Sequence, residues 1–419
     1  MNPRWRLLIG RVTRRLWFRS ALYGAFGVAS ALVGAVARPL IPEQMAAQIG
    51  VSSVGNILTI LASSMLAVTT FSLSTMVAAY AAASSNATPR ASTLLIEDSG
   101  SQSALASFIG AFLFSIVGLI ALSTGIYGDS GRLILFVTTI MMIVVIVVTL
   151  LRWIDQISRL GRVSETIDRV ELATRDAMKS LAAAPLLNAS PYRTPPPGAM
   201  PVFSRKIGYV TYIDTDKLQA VAAEADIKVW AEVAAGHFIT PNQMIARLSG
   251  AVDDELVARL AKAFVVEDMR NFEQDPRFGL VMLTEIAQRA LSPAVNDPGT
   301  AIDIIGTVTR LLCEWAEASE AGYSDRSTEV KNPRFHVRAI DERDFFADVY
   351  APLARDGASM LEVLTRLHRS LETLSQLGPA YLAGARAQAD RALQLSAKAL
   401  ALPDDQQRLL DIADWRNAS

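Results

Sequence analysis

Four apolar segments, Ala21 to Ile41, Val54 to Ala83, Ser103 to Tyr127 and Arg132 to Ile154, fall within the first 154 residues of this 419-residue chain, and no comparable segment follows. The hydrocarbon core of a bilayer takes about 20 mostly apolar helical residues to cross, and each segment is long enough. The last is the clearest, with no charge between Arg132 and Arg152. Backbone polar groups in lipid must be satisfied inside the segment, which leaves the helix as the form for spans of this kind. The predicted fold class is therefore an α-helical membrane domain of four transmembrane helices plus a cytoplasmic, mainly α-helical α+β domain.

Positive flanks stay cytoplasmic. Arg4, Arg6, Arg11, Arg14, Arg15 and Arg19 precede the first segment, and Arg152, Arg159, Arg162, Arg169, Arg175 and Lys179 accompany or follow the end of the fourth. The stretches Pro39 to Ser53 and Gly128 to Gly131 hold no Lys or Arg and suit periplasmic turns. The expectation is a multi-pass protein of the bacterial inner membrane with both termini cytoplasmic. Ala35-Val36-Ala37 mimics a signal-peptidase site, but the apolar run continues to Ile41 after a basic region of about twenty residues, so an uncleaved first span is expected.

Composition narrows the function classes. Net charge is −1 and the basic residues gather beside the membrane segments, so no nucleic-acid footprint is present. Cys313 is alone, which excludes an intrachain disulfide. His237, His336 and His368 are far apart in sequence and form no HExxH or HxxH pairing, so no metal site is expected.

Membrane helices associate through small residues and interhelical hydrogen bonds. Gly24, Gly27, Ala31 and Gly34 in the first segment, and Ser103, Ser107, Ala111 and Ser115 in the third, read as packing faces. In the second segment, Asn56, Thr59, Ser63, Thr70 and Ser74 fall within about 60° of one another at about 100° per residue. This polar stripe is a candidate pore lining for water, an ion or a small solute. The competing reading is hydrogen bonding to a neighbouring helix, or hydroxyls bonded back to their own carbonyls.

Taken in order, residues 1–19 form a basic cytoplasmic flank and 20–154 the transmembrane domain. Residues 155–184 carry a heptad seam (Leu160, Val163, Ile167, Val170, Thr174, Ala177, Leu181), read either as a helical stalk or as an amphipathic helix lying on its own domain. Residues 185–204, with Pro185, Pro191, Pro195, Pro196, Pro197 and Pro201, read as a linker. A small α+β unit over 205–250 and a mostly helical cytoplasmic domain over 251–419 complete the chain, with strands at Ile207 to Ile213 and Ile227 to Val233 and a helix from Thr215 capped near Asp214.

Two sharp helix starts stand out in the last domain. In Asp275-Pro276-Arg277 and Asn296-Asp297-Pro298, Asp accepts backbone N–H bonds while Pro occupies the first helical position. Around them Arg270, Asp275, Arg277, Glu285, Arg289, Ser292, Asn296, Asp297 and Asp303 form a dense run of polar residues on otherwise apolar helices. Caps and ion pairs, including Glu285 with Arg289 at helical spacing, are the structural reading of this corner. A ligand or ion site is the functional one.

Asp275-Pro276-Arg277-Phe278-Gly279-Leu280 and Ala290-Leu291-Ser292-Pro293-Ala294-Val295-Asn296-Asp297-Pro298-Gly299-Thr300-Ala301 resemble the signature of a bacterial family of predicted inner-membrane proteins of unknown function, numbered 2254. Ala83-Ser84-Ser85 with Pro89-Arg90, and Gly208-Tyr209-Val210 with Ile213-Asp214, resemble it as well, so the likeness runs from the membrane segments to about Leu374. Asn86-Ala87-Thr88 departs from the aromatic-containing stretch usual in the family. The resemblance implies membrane location and architecture and carries no activity. Gly236 to Pro241 resembles the turn of lipoyl-like barrel-sandwich folds, but no Lys occupies a hairpin tip there, so no cofactor is expected.

The reading that follows is a homo-oligomeric inner-membrane channel or transport protein with a cytoplasmic gating or vestibule domain. Its partners would be the lipid bilayer, further copies of itself and an ion or small solute. The alternative is a membrane-anchored sensor or scaffold that binds a ligand or partner through its cytoplasmic domain. With no phosphate loop, nucleophile elbow or placed general base, catalysis is the least supported class.

Overall fold

The computed structural model describes residues 51–91, 99–124, 129–159, 161–324 and 330–417, with isolated positions before residue 51. The chain divides into two compact units, residues 1–166 and 167–419.

In the first unit, α1 (Val51–Asn86), α2 (Ser99–Ser123) and α3 (Asp129–Arg159) are long helices. Three spans long and apolar enough to cross a membrane run through them, Ser53–Ser85, Gly100–Ser123 and Arg132–Arg159. These correspond to the second, third and fourth apolar segments. Apart from isolated positions, the first segment and the basic N-terminal flank lie outside the described residues, as do the Gly24, Gly27, Ala31 and Gly34 face and most of the Pro39 to Ser53 stretch expected as a periplasmic turn.

The three helices interlock through Leu58, Leu61, Met65 and Met76 of α1, Leu105, Phe108, Ala111 and Phe114 of α2, and Leu135, Ile146 and Trp153 of α3. On α2, Ser107, Ala111 and Ser115 are all buried, and both hydroxyls donate to carbonyls four residues back. Small side chains there allow close helix contact in lipid, where no hydrophobic force draws helices together.

The second unit begins within α4 (Val163–Ala183). This helix starts anew after Gly161, whose φ of +84° interrupts α3 from α4, and its seam residues Ile167, Val170, Thr174, Ala177 and Leu181 are buried. Glu171 accepts from Arg175 at 2.6 Å and Arg310 at 3.1 Å, and Arg175 donates to Glu314 at 2.8 Å. The helix therefore lies along its own domain, as an amphipathic helix does, instead of projecting as a continuous stalk.

Two sheets follow. The larger has the order β1 (Ala189–Pro191), β8 (Asn332–Val337), β4 (Val229–Ala231), β6 (Met244–Leu248) and β2 (Met200–Phe203), with β8 parallel to both neighbours. The proline-rich stretch expected as a linker thus supplies both edge strands. Proline lacks the N–H an inner strand must donate, so Pro191 and Pro201 are tolerated at those edges. The smaller sheet, β5 (Phe238–Ile239), β3 (Gly208–Ile213) and β7 (Phe264–Glu267), is antiparallel. Val202, Val210, Ile213, Val229, Ile239, Ile245, Leu248, Phe264 and Phe335 form the core the sheets share with Leu218 and Val221 of α5 (Thr215–Glu224) and Leu260 of α6 (Asp254–Ala261).

The remaining helices are α7 (Pro276–Ala290), α8 (Pro298–Ser324), α9 (Glu342–Asp356), α10 (Leu361–Ser375), α11 (Pro379–Ala399) and α12 (Pro403–Ile412), before a 3₁₀ turn at Asp414–Asn417. Ala301, Ile304, Ile305, Val308, Leu311, Leu312 and Trp315 give α8 a continuous buried face. Each fully buried Leu or Ile there contributes about 1.5–3 kcal/mol.

Gly279 of α7 faces Thr174 of α4 so closely that an added Cβ would overlap the Thr174 hydroxyl and lie 2.7 Å from its Cβ. Alanine is the better helix former by about 1 kcal/mol, but overpacking costs about 1–3 kcal/mol. Gly279→Ala is expected to lower the melting temperature, and Thr174→Ala added to it to restore part of the loss. A melting temperature raised by Gly279→Ala alone would refute the close approach.

Candidate functional site

The two Asp-Pro helix starts both form. At α7, the Asp275 carboxylate accepts from the N–H of Phe278 at 3.2 Å, and at α8, Asp297 accepts from the N–H and hydroxyl of Thr300 at 3.1 and 2.6 Å. The Thr300 hydroxyl, then its N–H, holds the Asp297 carboxyl below the usual carboxylate range. The two starts are separated by the length of α7, whose 15 residues span about 22 Å at 1.5 Å per residue. The polar run therefore does not form one cluster.

At the far end, the turn from Ser292 to Asp297 is closed by its own bonds. The Ser292 hydroxyl donates to Arg289 O at 2.6 Å, Asn296 N donates to Ser292 O at 2.8 Å and Asp297 N to Ala290 O at 2.8 Å. Asn296 takes φ +51°, which Asn tolerates better than most residues. Glu285 is half-buried along α7, while Arg289 and Asp303 are exposed.

At the near end, side chains from four separate parts of the chain meet. Arg270 grips Asp275 with two bonds of 2.7 and 3.0 Å, and its guanidinium lies 5.3 Å from the Phe278 ring centroid. Arg277 donates a fork of 2.7 and 3.0 Å to Asp348 and a further bond to Asp344, both on α9. The turn before β5 brings in Gly236 and His237. Gly236 has φ +88°, and a Cβ there would lie 2.7 Å from the Asp275 carboxyl carbon, so only glycine fits. Gln274 straps this end to β3, exchanging bonds with Ile213 N and O at 2.8 and 3.2 Å.

The His237 ring accepts from Ala234 N at 3.4 Å. Desolvation, then the charge of Arg277, holds its pKa below the ordinary value against the opposing pull of Asp275 and Asp344. The result is a neutral imidazole beside two paired guanidinium groups and three carboxylates. Such a group is suited to recognising a charged ligand or partner that exchanges with Arg277 or Asp344. Among the described residues, no three His, Cys, Asp or Glu side chains group as metal ligands.

Arg270, Asp275 and Arg277 are thus brought together, and His237, Asp344 and Asp348 are additional members. Only the i, i+4 carboxylates of Asp344 and Asp348 leave a trace in the sequence, and their partner lies some seventy residues earlier.

The stripe residues Asn56, Thr59, Ser63, Thr70 and Ser74 all lie on the exposed face of α1, opposite the face packed on α2 and α3. Thr59 donates to Gly55 O at 2.8 Å, Ser63 to Thr59 O at 3.0 Å and Thr70 to Leu66 O at 3.0 Å. Exposed Ile60, Leu66, Phe71 and Leu73 flank the stripe. The described helices of one chain therefore enclose no path along it.

No solved structure matches this chain. An uncharacterised protein of Mycobacterium bovis and one of Mycobacterium tuberculosis are each 26% identical to it over 237 residues, covering 53% of this chain and 45% of the relative. The chain thus spans about half the length of the curated relatives it matches. The family model described as "Predicted membrane protein (DUF2254)" matches residues 13–373, which takes in the apolar helices, both Asp-Pro starts and the sheets, and the chain belongs to that family.

Proposed function

We propose that this membrane protein is a homo-oligomeric channel or transport protein of the bacterial inner membrane, with both termini cytoplasmic and the polar face of α1 turned toward a path between copies. The observation that carries this reading is the exposure of all five stripe residues on the face of α1 away from its own packed core. A hydroxyl that donates to its own helix carbonyl keeps its oxygen lone pairs. The stripe then presents neutral oxygen acceptors outward, a lining suited to water and to weakly held cations. Large apolar side chains on both sides of the stripe suit contact with neighbouring helices.

Flux from proteoliposomes tests this. Wild-type protein is expected to pass small cations or solutes, and Ser63→Leu and Thr70→Leu to reduce that flux without loss of folded protein. Wild-type liposomes no leakier than empty ones would end the proposal.

The second reading, a membrane-anchored sensor or scaffold, is favoured by the His237, Arg270, Asp275 and Arg277 group in the C-terminal domain. A ligand acting there should raise the melting temperature of the full chain, and Arg277→Leu should remove that rise.

A further inference from the structure

One row of side chains crosses the larger sheet, with Ser190 of β1 paired to His336 of β8, His336 to Trp230 of β4 and Trp230 to Arg247 of β6. Alternate residues of a strand share a face, and Val229 and Phe335, the neighbours of Trp230 and His336, lie in the core on the other side. The Trp230 and His336 rings stack at 5.1 Å with an angle of 9° between them. Trp230 is 5% and His336 8% exposed, yet Trp230 Nε1 and His336 Nε2 have no hydrogen-bond partner among the described residues. Buried polar atoms are nearly always paired, so two orphans on adjacent strands point to a ligand.

The state of the imidazole follows from its other nitrogen. His336 Nδ1 lies 3.1 Å from Pro191 O, and a carbonyl oxygen only accepts. Nδ1 therefore bears the ring proton and Nε2 a lone pair that needs a donor. Burial, with the charges of Lys228 and Arg193, keeps the ring neutral against the opposing bond to Pro191. Both cations are exposed. The acids flanking Lys228 are occupied: Glu224 by Arg259, Asp226 by Arg334 at 2.7 Å, and Glu232 by Arg247, Arg338 and the Tyr192 hydroxyl at 3.0, 3.1 and 2.8 Å.

A complementary ligand presents negative charge to Lys228 and Arg193 and an O–H to His336 Nε2. Hydrogen phosphate has both, as does a singly protonated phosphomonoester, whereas sulfate has the charge and no O–H. A further phosphate oxygen accepts from Trp230 Nε1. We propose that this face of the larger sheet binds a phosphate group that retains an O–H, held by Arg193, Lys228, Trp230 and His336. The site is separate from the α1 stripe and from the His237 group, and it stands whether or not the protein conducts.

Calorimetric titration of the full chain in detergent tests this, with sodium phosphate, glycerol 3-phosphate and sodium sulfate as probes, near the second ionisation of a phosphomonoester. Phosphate or glycerol 3-phosphate is expected to bind about tenfold or more tighter than sulfate, the order of one charge-assisted hydrogen bond. The tighter of the two identifies free phosphate or a monoester as the source. Lys228→Gln and Arg193→Gln, at exposed positions, should each weaken binding by about tenfold for the same reason. His336→Phe, which keeps a ring stacked on Trp230, should abolish the preference over sulfate. No binding of either phosphate at millimolar concentration, sulfate bound as tightly, or affinity indifferent to Lys228→Gln and Arg193→Gln would overturn the proposal.

Discussion

Asp275→Ala is expected to destabilise the C-terminal domain by about 3–5 kcal/mol, the range for removing one partner of a buried ion pair. Asp275 is only 3% exposed and performs two tasks at once. It neutralises Arg270, itself largely buried, through two bonds, and it caps α7 through the N–H of Phe278. Deleting it leaves a guanidinium charge without its partner and an uncapped helix, the cap alone contributing about 1 kcal/mol. Asp275→Asn keeps an oxygen for the cap and should fall between wild type and Asp275→Ala. The double variant Arg270→Met, Asp275→Ala should regain part of the loss, because no lone charge remains. Urea unfolding of the full chain in detergent, followed by tryptophan fluorescence, measures these differences. An Asp275→Ala variant within about 1 kcal/mol of wild type would show that the pair holds little, as surface pairs do.

The second large effect is a loss of stability between about pH 6.5 and pH 4. His368 of α10 has no exposed surface and neither ring nitrogen has a hydrogen-bond partner. Burial, and then the charge of Arg416, lowers its pKa to about 4, with Asp390 opposing. Arg416 follows α12 and Asp390 lies on α11, and the two are themselves ion-paired. Below its ordinary pKa of 6.5, the unfolded chain takes up a proton that the folded chain refuses. Stability from the neutral ring is therefore complete above pH 6.5 and falls as pH drops toward 4. The total is about 3 kcal/mol, at about 1.4 kcal/mol per pH unit of separation.

His237 and His336, both held below the ordinary value chiefly by desolvation, act in the same direction. Carboxylates with lowered pKa, such as Asp297, Asp341 and Asp356, lose their contribution only at lower pH. His368→Phe should flatten the profile between pH 6.5 and 4 relative to wild type. Equal slopes for the two proteins would show that His368 is charged, or exposed, in the folded state.

Segments whose chemistry is local are legible in the amino-acid sequence. The second to fourth apolar segments are helices of spanning length, and Asp214, Asp275 and Asp297 each accept from an N–H three residues on. Bonds over three or four residues depend only on neighbours in the sequence. Small-residue spacing on α2 marks a buried face for the same reason.

Other features need the whole fold. Proline content argues for a linker at residues 185–204, because the sequence does not reveal that two short segments there meet the free edges of a sheet. The α4 seam admits two partners, and only the ion pairs of Glu171 and Arg175 across 139 residues of sequence, with Thr174 packed on Gly279, identify its own domain as the cover. Helical periodicity places the five stripe residues on one side of α1 but does not say which way that side faces, since the answer depends on where Leu58, Leu61 and Met65 find their partners. The polar run from Arg270 to Asp303 reads as one corner because sequence distance ignores the rise of the intervening helix. Sequence alone specifies the apolar helices of α1 to α3, the caps and the amphipathic faces, all set by contacts within about one helical turn. The tertiary structure decides that Arg277 reaches Asp344 and Asp348, that Gly236 lies on Asp275 and that β8 enters between β1 and β4, because burial of the shared core selects those long-range partners and no local propensity encodes them.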